Sequence, residues 1–366
     1  MLAKDTSPET TILCARLANS VQQVLTKTAT PGASVALLLD GQPFFVSAVG
    51  FCDLEETTSL DPSARFYLYS ITKSLIAAAI LQLGEQGRLV LDDPVQRYLP
   101  QGTLETLVTL RQLLNHTGGL PDYGALPAYV ADLKSDPTHP WTDDHFLRMT
   151  LAQGLLFPPG AGWAYSNIGY LLLRRVVETV WQSSLRAALH SLLFAPLGLQ
   201  QTYVAQTLED AEALTPGYSS YLGSADSLSD IRPVYHPGWV AHGVVVAPAR
   251  EAAYLIDALF NGRLLSPASL AAMLAWVDVR VDHPLFRRPA YGLGVMIDPA
   301  SRFGLMVGHG GGGPGYSTGG LHLPNVHGRR ITSIALVNRD QGDLGLEIAF
   351  TLATLLGDAL AHHPAL

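Results

Sequence analysis

Runs of β type occur only near the two ends of this chain, and the stretch between them is patterned as helix. At the beginning, ASVALLLD and PFFVSAVGF read as two strands joined by Asp40-Gly41, a dipeptide that favours a tight hairpin. Near the end, YGLGVMID, FGLMVGHG, GYSTGGLHL and ITSIALVN read as further strands. Between the two sets lie helical patterns such as TLRQLLNHT, DDHFLRMTLAQ, SNIGYLLLRRVVETVW, PAREAAYLIDALF and SPASLAAMLAWV. An amphipathic helix over about residues 9–26 precedes the first strand, and an apolar helix over about 344–361 follows the last. Strands that do not alternate with helices do not build a doubly wound parallel sheet. The order therefore predicts an α+β fold: one antiparallel sheet built from both chain ends and flanked by the first and last helices, plus an all-helical lobe. The chain, 1–366, reads as a single domain with an α/β lobe over about 1–72 and 285–366 and a mainly helical lobe over about 73–284. A cleft between such lobes is the default place for a small-molecule site.

Composition narrows the partners. With 48% hydrophobic and 15% charged residues, the chain has ample material for a large core. A net charge of -8 and the lack of any Lys/Arg-rich run argue against nucleic acid or an anionic membrane as partner. Cys14 and Cys52 are too few for a disulfide framework and have no metal-type spacing. The twelve histidines are scattered without an H-E-x-x-H pair, so neither metal nor cofactor is expected. No apolar run approaches the ~20 residues of a membrane span. The start shows no secretory signal pattern, so with Met1 as the native start the expected location is the cytoplasm.

The chemistry concentrates in three short stretches. In LYSITKSLIAAAI, Leu75, Ile76, Ala79, Ile80 and Leu83 mark the buried face of a helix that Lys73 enters at its first turn. Ser70 precedes Lys73 by three residues, so on one turn the two side chains are neighbours. The helix N-terminus and burial both disfavour the ammonium, and a serine beside a neutral lysine is an activated nucleophile. The plain alternative is a capping serine and a lysine whose stem reaches solvent. In PPGAGWAYSNIGYLLL, Tyr165 and Asn167 stand two apart and can face one cleft, offering a phenol proton carrier and an amide; alternatively Ser166 or Asn167 caps the next helix while Tyr165 packs. In VGHGGGGPGYSTGG, glycines after a strand suit close backbone approach, and exposed N–H groups there can bind an oxyanion beside His309.

Taken together, Ser70-Ile71-Thr72-Lys73, Tyr165-Ser166-Asn167 and His309-Gly310-Gly311 resemble, in order and approximate spacing, the serine β-lactamase and penicillin-binding-protein superfamily. They look most like its class C branch, with the related DD-peptidases, D-amino-acid amidohydrolases and carboxylesterases. The flanking LLNHTGGLPDY, GVVVAPAREAAYLIDAL and YGLGV are similar as well, over about residues 30–340. The resemblance implies a β-lactamase/transpeptidase-like fold and an acyl-enzyme mechanism. Ser70 would be the nucleophile, with Lys73 and Tyr165 sharing the proton transfers. Asn167 would hold the substrate's acyl side-chain amide, His309, Gly310 and Gly311 would line the substrate site, and the backbone N–H groups of Ser70 and Gly312 would form the oxyanion hole.

Two departures shape the expected substrate. The family's third motif often begins with lysine, a permanent cation facing a substrate carboxylate; this chain has His309, which is mostly neutral at pH 7. No glutamate occurs between Glu105 and Glu178, so a class A type of deacylating water has no carboxylate to hold it. These point to a small ester, amide or D-amino-acid substrate, with weak action on β-lactams. The alternatives are a class C β-lactamase or DD-carboxypeptidase, and a penicillin-recognising sensor with little turnover. A rival nucleophile, Ser317, sits in Gly315-Tyr316-Ser317-Thr318-Gly319, but strand rather than helix is expected after it, against the nucleophile elbow of an α/β-hydrolase. His116 reads as a loop polar residue near the cleft, as His309 does.

Overall fold

The computed structural model describes residues 7–222, 227–363 and 366; Met1, on which the expected location rested, lies outside the described residues. Eight strands make the main sheet: β1 (Gly32–Leu39), β2 (Gln42–Gly50), β3 (Val277–Asp278), β4 (Ala290–Tyr291), β5 (Met296–Ser301), β6 (Gly304–Gly313), β7 (Tyr316–Val326) and β8 (Arg329–Val337). Their order across the sheet is β2-β1-β8-β7-β6-β5-β4-β3, and every neighbouring pair is antiparallel. The two chain ends meet at β1 and β8, where Ala33 lies opposite Val337 and Leu39 opposite Ile331. The hairpin before that junction turns at Asp40 and Gly41, both at positive φ (52° and 78°), as a two-residue loop matched to strand twist requires.

Five helices frame the sheet and the site: α1 (Pro8–Thr28), α2 (Ile71–Glu85), α3 (Asn167–Trp181), α4 (Ala249–Phe260) and α5 (Leu344–His362). Alternation along β1 sorts two cores. Val35, Leu37 and Leu39 join Leu17 and Val21 of α1 and Leu352 and Leu356 of α5. Ala36 and Leu38 join the opposite core with α2, α3 and α4. Each fully buried leucine stabilises the fold by about 2 kcal/mol on transfer grounds. The first and last helices therefore cover one face only, while α2 and α4 cover the other.

Three expectations change. The stretch expected to be all-helical also supplies two strands, Val244–Pro248 and Tyr203–Ala205, which with Arg65–Tyr67 from the preceding stretch make a three-stranded antiparallel sheet with Val244–Pro248 in the middle. VVVAP is buried at every position, so it lacks the alternation that marks a strand and merged in the sequence with the helix after it. The glycines expected after a strand lie inside one, β6. And α5, 19 residues, is long and apolar enough to cross a membrane by length and composition, which no apolar run was expected to be; here it lays Leu344, Ile348, Leu352, Leu356 and Leu360 against the core.

Candidate active site

The turn into α2 is held by hydrogen bonds to the small sheet. Leu68 N–H donates to Val245 O at 2.7 Å, and the Thr72 hydroxyl accepts from Val245 N–H at 3.0 Å, stitching the turn to the central strand of the small sheet. Between them Tyr69 sits at φ 44°, a left-handed conformation costing about 1 kcal/mol for a residue with a side chain. Its phenol donates to Pro314 O beyond the end of β6, which holds it there. Ser70 occupies the N-cap position of α2 with φ -70° and ψ -11°, yet makes no capping bond. A capping serine is extended and spends its oxygen on the first turn. The Ser70 hydroxyl is used elsewhere: Lys73 Nζ lies 3.0 Å from Ser70 Oγ, and Ser70 also lies near enough to the Tyr165 phenol to pull its pKa down.

Lys73 is completely buried. Burial pulls its pKa from 10.5 down to about 7, against the opposing pull of the Asp122 carboxylate. At neutral pH a large fraction is therefore free amine, able to take the Ser70 proton. Burial raises the Tyr165 pKa and the bond to Ser70 offsets part of that rise, so the phenol is a proton donor in the resting site. The Tyr165 ring also lies 4.9 Å from Lys73 Nζ, on the path of the cation that forms when the amine takes a proton.

His309 and the glycines after it complete the cleft wall. The last residue of β6 paired to β5 is Gly308, so from His309 to Gly313 that edge of β6 is free of strand partners and faces the Ser70 turn. A Cβ at Gly311 would lie 2.5 Å from Leu68 O and 3.1 Å from Ser70 N, which is why the strand carries glycine there. His309 is 3% exposed, not a loop residue. Its Nδ1 lies 2.5 Å from Gly310 O, which only accepts, so Nδ1 carries the hydrogen; Nε2 then accepts from the Tyr291 phenol at 2.8 Å. Burial first, and the nearby Lys73 second, drive its pKa down to about 3.

Asn167 lies beside this group but is already engaged: its backbone N–H and side-chain Nδ2 both donate to Asp122, at 2.9 and 3.1 Å, leaving Oδ1 as the free end of the amide. Ser166, not Asn167, caps α3. His116 is likewise buried rather than in an open loop; its Nδ1 accepts from Ser166 N–H at 3.2 Å and its ring stacks 4.4 Å from that of Tyr165, fixing the second motif from beneath. Ser317 is fully buried in β7, donating to Gly342 O at 2.9 Å and accepting from Gly345 N–H at 3.0 Å; it anchors α5 to the sheet and no helix follows it directly.

Three contributors had no readable motif. Asp122 and Tyr291 stand in stretches whose flanks are family-like, yet as single residues they carry no spacing signal. His242, whose Nε2 lies 3.3 Å from Lys73 Nζ, is a lone histidine in WVAHGVVV. Among the described residues no three His, Cys, Asp or Glu side chains converge as a metal site. An open cleft of about 500 Å³ is lined by Gly312, Gly313 and Pro314 together with Tyr129, Tyr221 and Gln341; it reaches the end of β6, while Ser70, Lys73 and Tyr165 do not line it.

The chain resembles known proteins along nearly its full length. The family model described as Beta-lactamase matches residues 17–357. Penicillin-binding protein 4* of Bacillus subtilis (strain 168) is 30% identical over 312 residues, 82% of this chain and 66% of that protein. Esterase EstB of Burkholderia gladioli is 34% identical over 199 residues, 51% of this chain and 50% of its own. The chain thus spans about half to two thirds of these relatives. Among solved structures, a D-stereospecific amidohydrolase from Streptomyces sp. superposes with TM-score 0.76 at 28% identity, covering 92% of this chain and 98% of that one. The D-amino acid amidase of Ochrobactrum anthropi SV3 complexed with L-phenylalanine amide gives 0.74 at 25% identity, over 94% and 98%.

Proposed function

The chain belongs to the β-lactamase family and is a serine hydrolase, and from that premise we propose that it works through an acyl-enzyme on Ser70, using small esters or amides that carry no carboxylate beside the scissile bond. The observation that carries the substrate half of this reading is His309. Both of its ring nitrogens are taken up inside the protein, by Gly310 O and Tyr291, and burial keeps it neutral. Where a lysine would offer a substrate carboxylate a permanent cation, this site offers an uncharged imidazole. The esterase and D-amino-acid amidase among its relatives support the same substrate range.

The steps follow from the hydrogen bonds. The Ser70 O–H gives its proton to the free amine of Lys73 as Oγ attacks the substrate carbonyl. The oxyanion accepts from the N–H groups of Ser70 and Gly312, where the glycine edge of β6 passes the turn. Tyr165 then protonates the leaving oxygen or nitrogen and is reprotonated from Lys73. In deacylation the roles reverse: a water gives its proton to the free amine of Lys73 and attacks the ester carbonyl, and Ser70 departs taking a proton from Tyr165, which Lys73 reprotonates. Asn167 Oδ1 is the group left to accept from an acyl side-chain amide.

The test is a substrate panel of p-nitrophenyl butyrate, D-amino-acid anilides and nitrocefin, with burst and steady-state phases resolved. Esters or D-anilides are expected to exceed nitrocefin in kcat/KM. His309→Lys should raise nitrocefin relative to butyrate at least tenfold, a barrier change of ~1.4 kcal/mol. A native enzyme that prefers nitrocefin by orders of magnitude is a β-lactamase, and a burst without turnover on every substrate is a sensor; either result overturns the proposal.

A further inference from the structure

We infer that His242 is a positioning residue for Lys73: it accepts a hydrogen bond from the amine and so turns the amine's lone pair toward Ser70. The inference rests on reading Lys73 as the base, and its first support is geometric. His242 is 2% exposed, and its Nε2 lies 3.3 Å from Lys73 Nζ, a second polar contact of the amine besides Ser70 Oγ at 3.0 Å. A neutral amine has one lone pair and two hydrogens. If one hydrogen is fixed on His242, the freedom of the lone pair to point away from Ser70 is cut down.

The backbone holds His242 in place from both sides. Ala241 N–H donates to the Tyr123 phenol at 3.2 Å and Ala241 O accepts from Arg174 Nε at 3.1 Å. Gly243, at φ 85°, turns the chain back so that its N–H reaches Val240 O at 2.7 Å; a Cβ there would lie 2.9 Å from the Leu185 side chain. So much order around one imidazole is not explained by packing. The other ring nitrogen, Nδ1, is buried with no hydrogen-bond partner among the described residues. Such an orphan is destabilising, a penalty that a leucine or phenylalanine filling the same space would avoid.

The consequence is a pH effect on Lys73. Asp122 pulls the Lys73 pKa up against burial, and on this inference His242 adds to that pull, because an acceptor stabilises the ammonium more than the amine. Tyr165 and Tyr170 face Lys73 with their rings, at 4.9 and 5.6 Å, and Ser70 bonds it. His242 in turn meets burial, Lys73, His309, Arg174 and His116, all of which disfavour its own protonation, so it stays an acceptor throughout the working range. The Tyr170 ring lies 6.4 Å away.

The experiment compares His242→Leu and His242→Gln with the native enzyme in burst-phase acylation by p-nitrophenyl butyrate from pH 5 to 9, with Tm in parallel. His242→Leu is expected to slow acylation at least tenfold and move the ascending limb to lower pH, with Tm unchanged or raised. His242→Gln, which keeps an oxygen acceptor, should recover acylation to within about threefold. A leucine variant that acylates normally, or one that loses rate and Tm together with the limb unmoved, overturns the inference. Histidine 15N spectra of the native enzyme at pH 8 give an independent reading: Nδ1-protonated His242 supports it, and the Nε2-protonated form overturns it even if both variants fail to fold. Should Lys73→Met also acylate normally, the base assignment itself falls; with Lys73→Met inactive and His242→Leu normal, only the role of His242 does.

Discussion

Lys73 is an expensive residue to keep where it is, and that cost gives a test independent of turnover. Its pKa is lowered on folding, so below pH 7 a charge is buried in the folded state, and the penalty shrinks as pH rises from about 7 toward 10.5. Lys73→Met should therefore abolish acylation while making the protein more stable than native at pH 6.5, with the difference in Tm narrowing by pH 9. Lys73→Arg should also lose acylation, since a guanidinium keeps its proton at working pH. Single-turnover acylation near the native rate in the arginine variant removes Lys73 from the proton path. At this scale the sequence was most legible where partners are near neighbours. Ser70 and Lys73 share one helical turn, and the Tyr165-Ser166-Asn167 and His309-Gly310-Gly311 stretches carry their own patterns. Asp122 meets Asn167 across 45 residues and His242 meets Lys73 across 169, and no local spacing encodes a contact made by the fold. The capping reading of Ser70 was also open in the sequence; only its dihedrals and missing cap bond close it.

The element that most repays mutation is the glycine strand β6. Its glycines differ in what they meet. At Gly311 an added methyl collides with Leu68 O and Thr318 Oγ1, both at 2.5 Å, whereas at Gly312 the nearest atom is Gly342 O at 3.8 Å. Neither position has positive φ, so the contrast is one of space alone. Gly311→Ala is expected to destabilise by about 1–3 kcal/mol and push the Ser70 turn off its strand, with acylation falling at least tenfold. Gly312→Ala should keep a near-native Tm. Equal Tm losses in the two variants count against backbone-to-backbone packing as the reason for the glycines. A fluorophosphonate probe adds a second check on this region: it should label Ser70, survive Ser317→Ala, and vanish in Ser70→Ala. Most of β6 is legible as strand in FGLMVGHG, but its last glycines, Gly311 to Gly313, are not, because glycine has low strand propensity; what holds them extended is the ladder to β7 on one edge and the Ser70 turn beside the other. The long amphipathic α1 and the Asp-Gly hairpin were readable because periodicity and turn chemistry are local properties.

For the whole molecule, burial of histidine fixes how stability follows pH. His116, His242, His309 and His322 are each at most 3% exposed, and burial holds all four below the ordinary histidine pKa, His309 at about 3 and His322 at about 4. In the unfolded chain each takes up a proton near pH 6.5, while in the folded chain each stays neutral. The unfolded state therefore binds more protons as pH falls through 6.5, and stability is lost in that direction. Each histidine contributes roughly 1 kcal/mol of loss between pH 7 and 5.5. Lys73 adds no slope there once it is charged in both states. Asp122 and Asp340, whose pKa values burial raises, act in the opposite sense as pH falls. Urea midpoints should accordingly fall by an amount equivalent to several kcal/mol from pH 7 to 5.5. His322 isolates the cause, since it lies away from Ser70, bonded through Nδ1 to Thr332 at 2.9 Å with Nε2 unpartnered among the described residues. His322→Gln should remove about a quarter of the pH dependence and leave esterase activity within twofold of native. A midpoint that is flat across this window, or a slope untouched by His322→Gln, places the acid sensitivity outside the buried histidines.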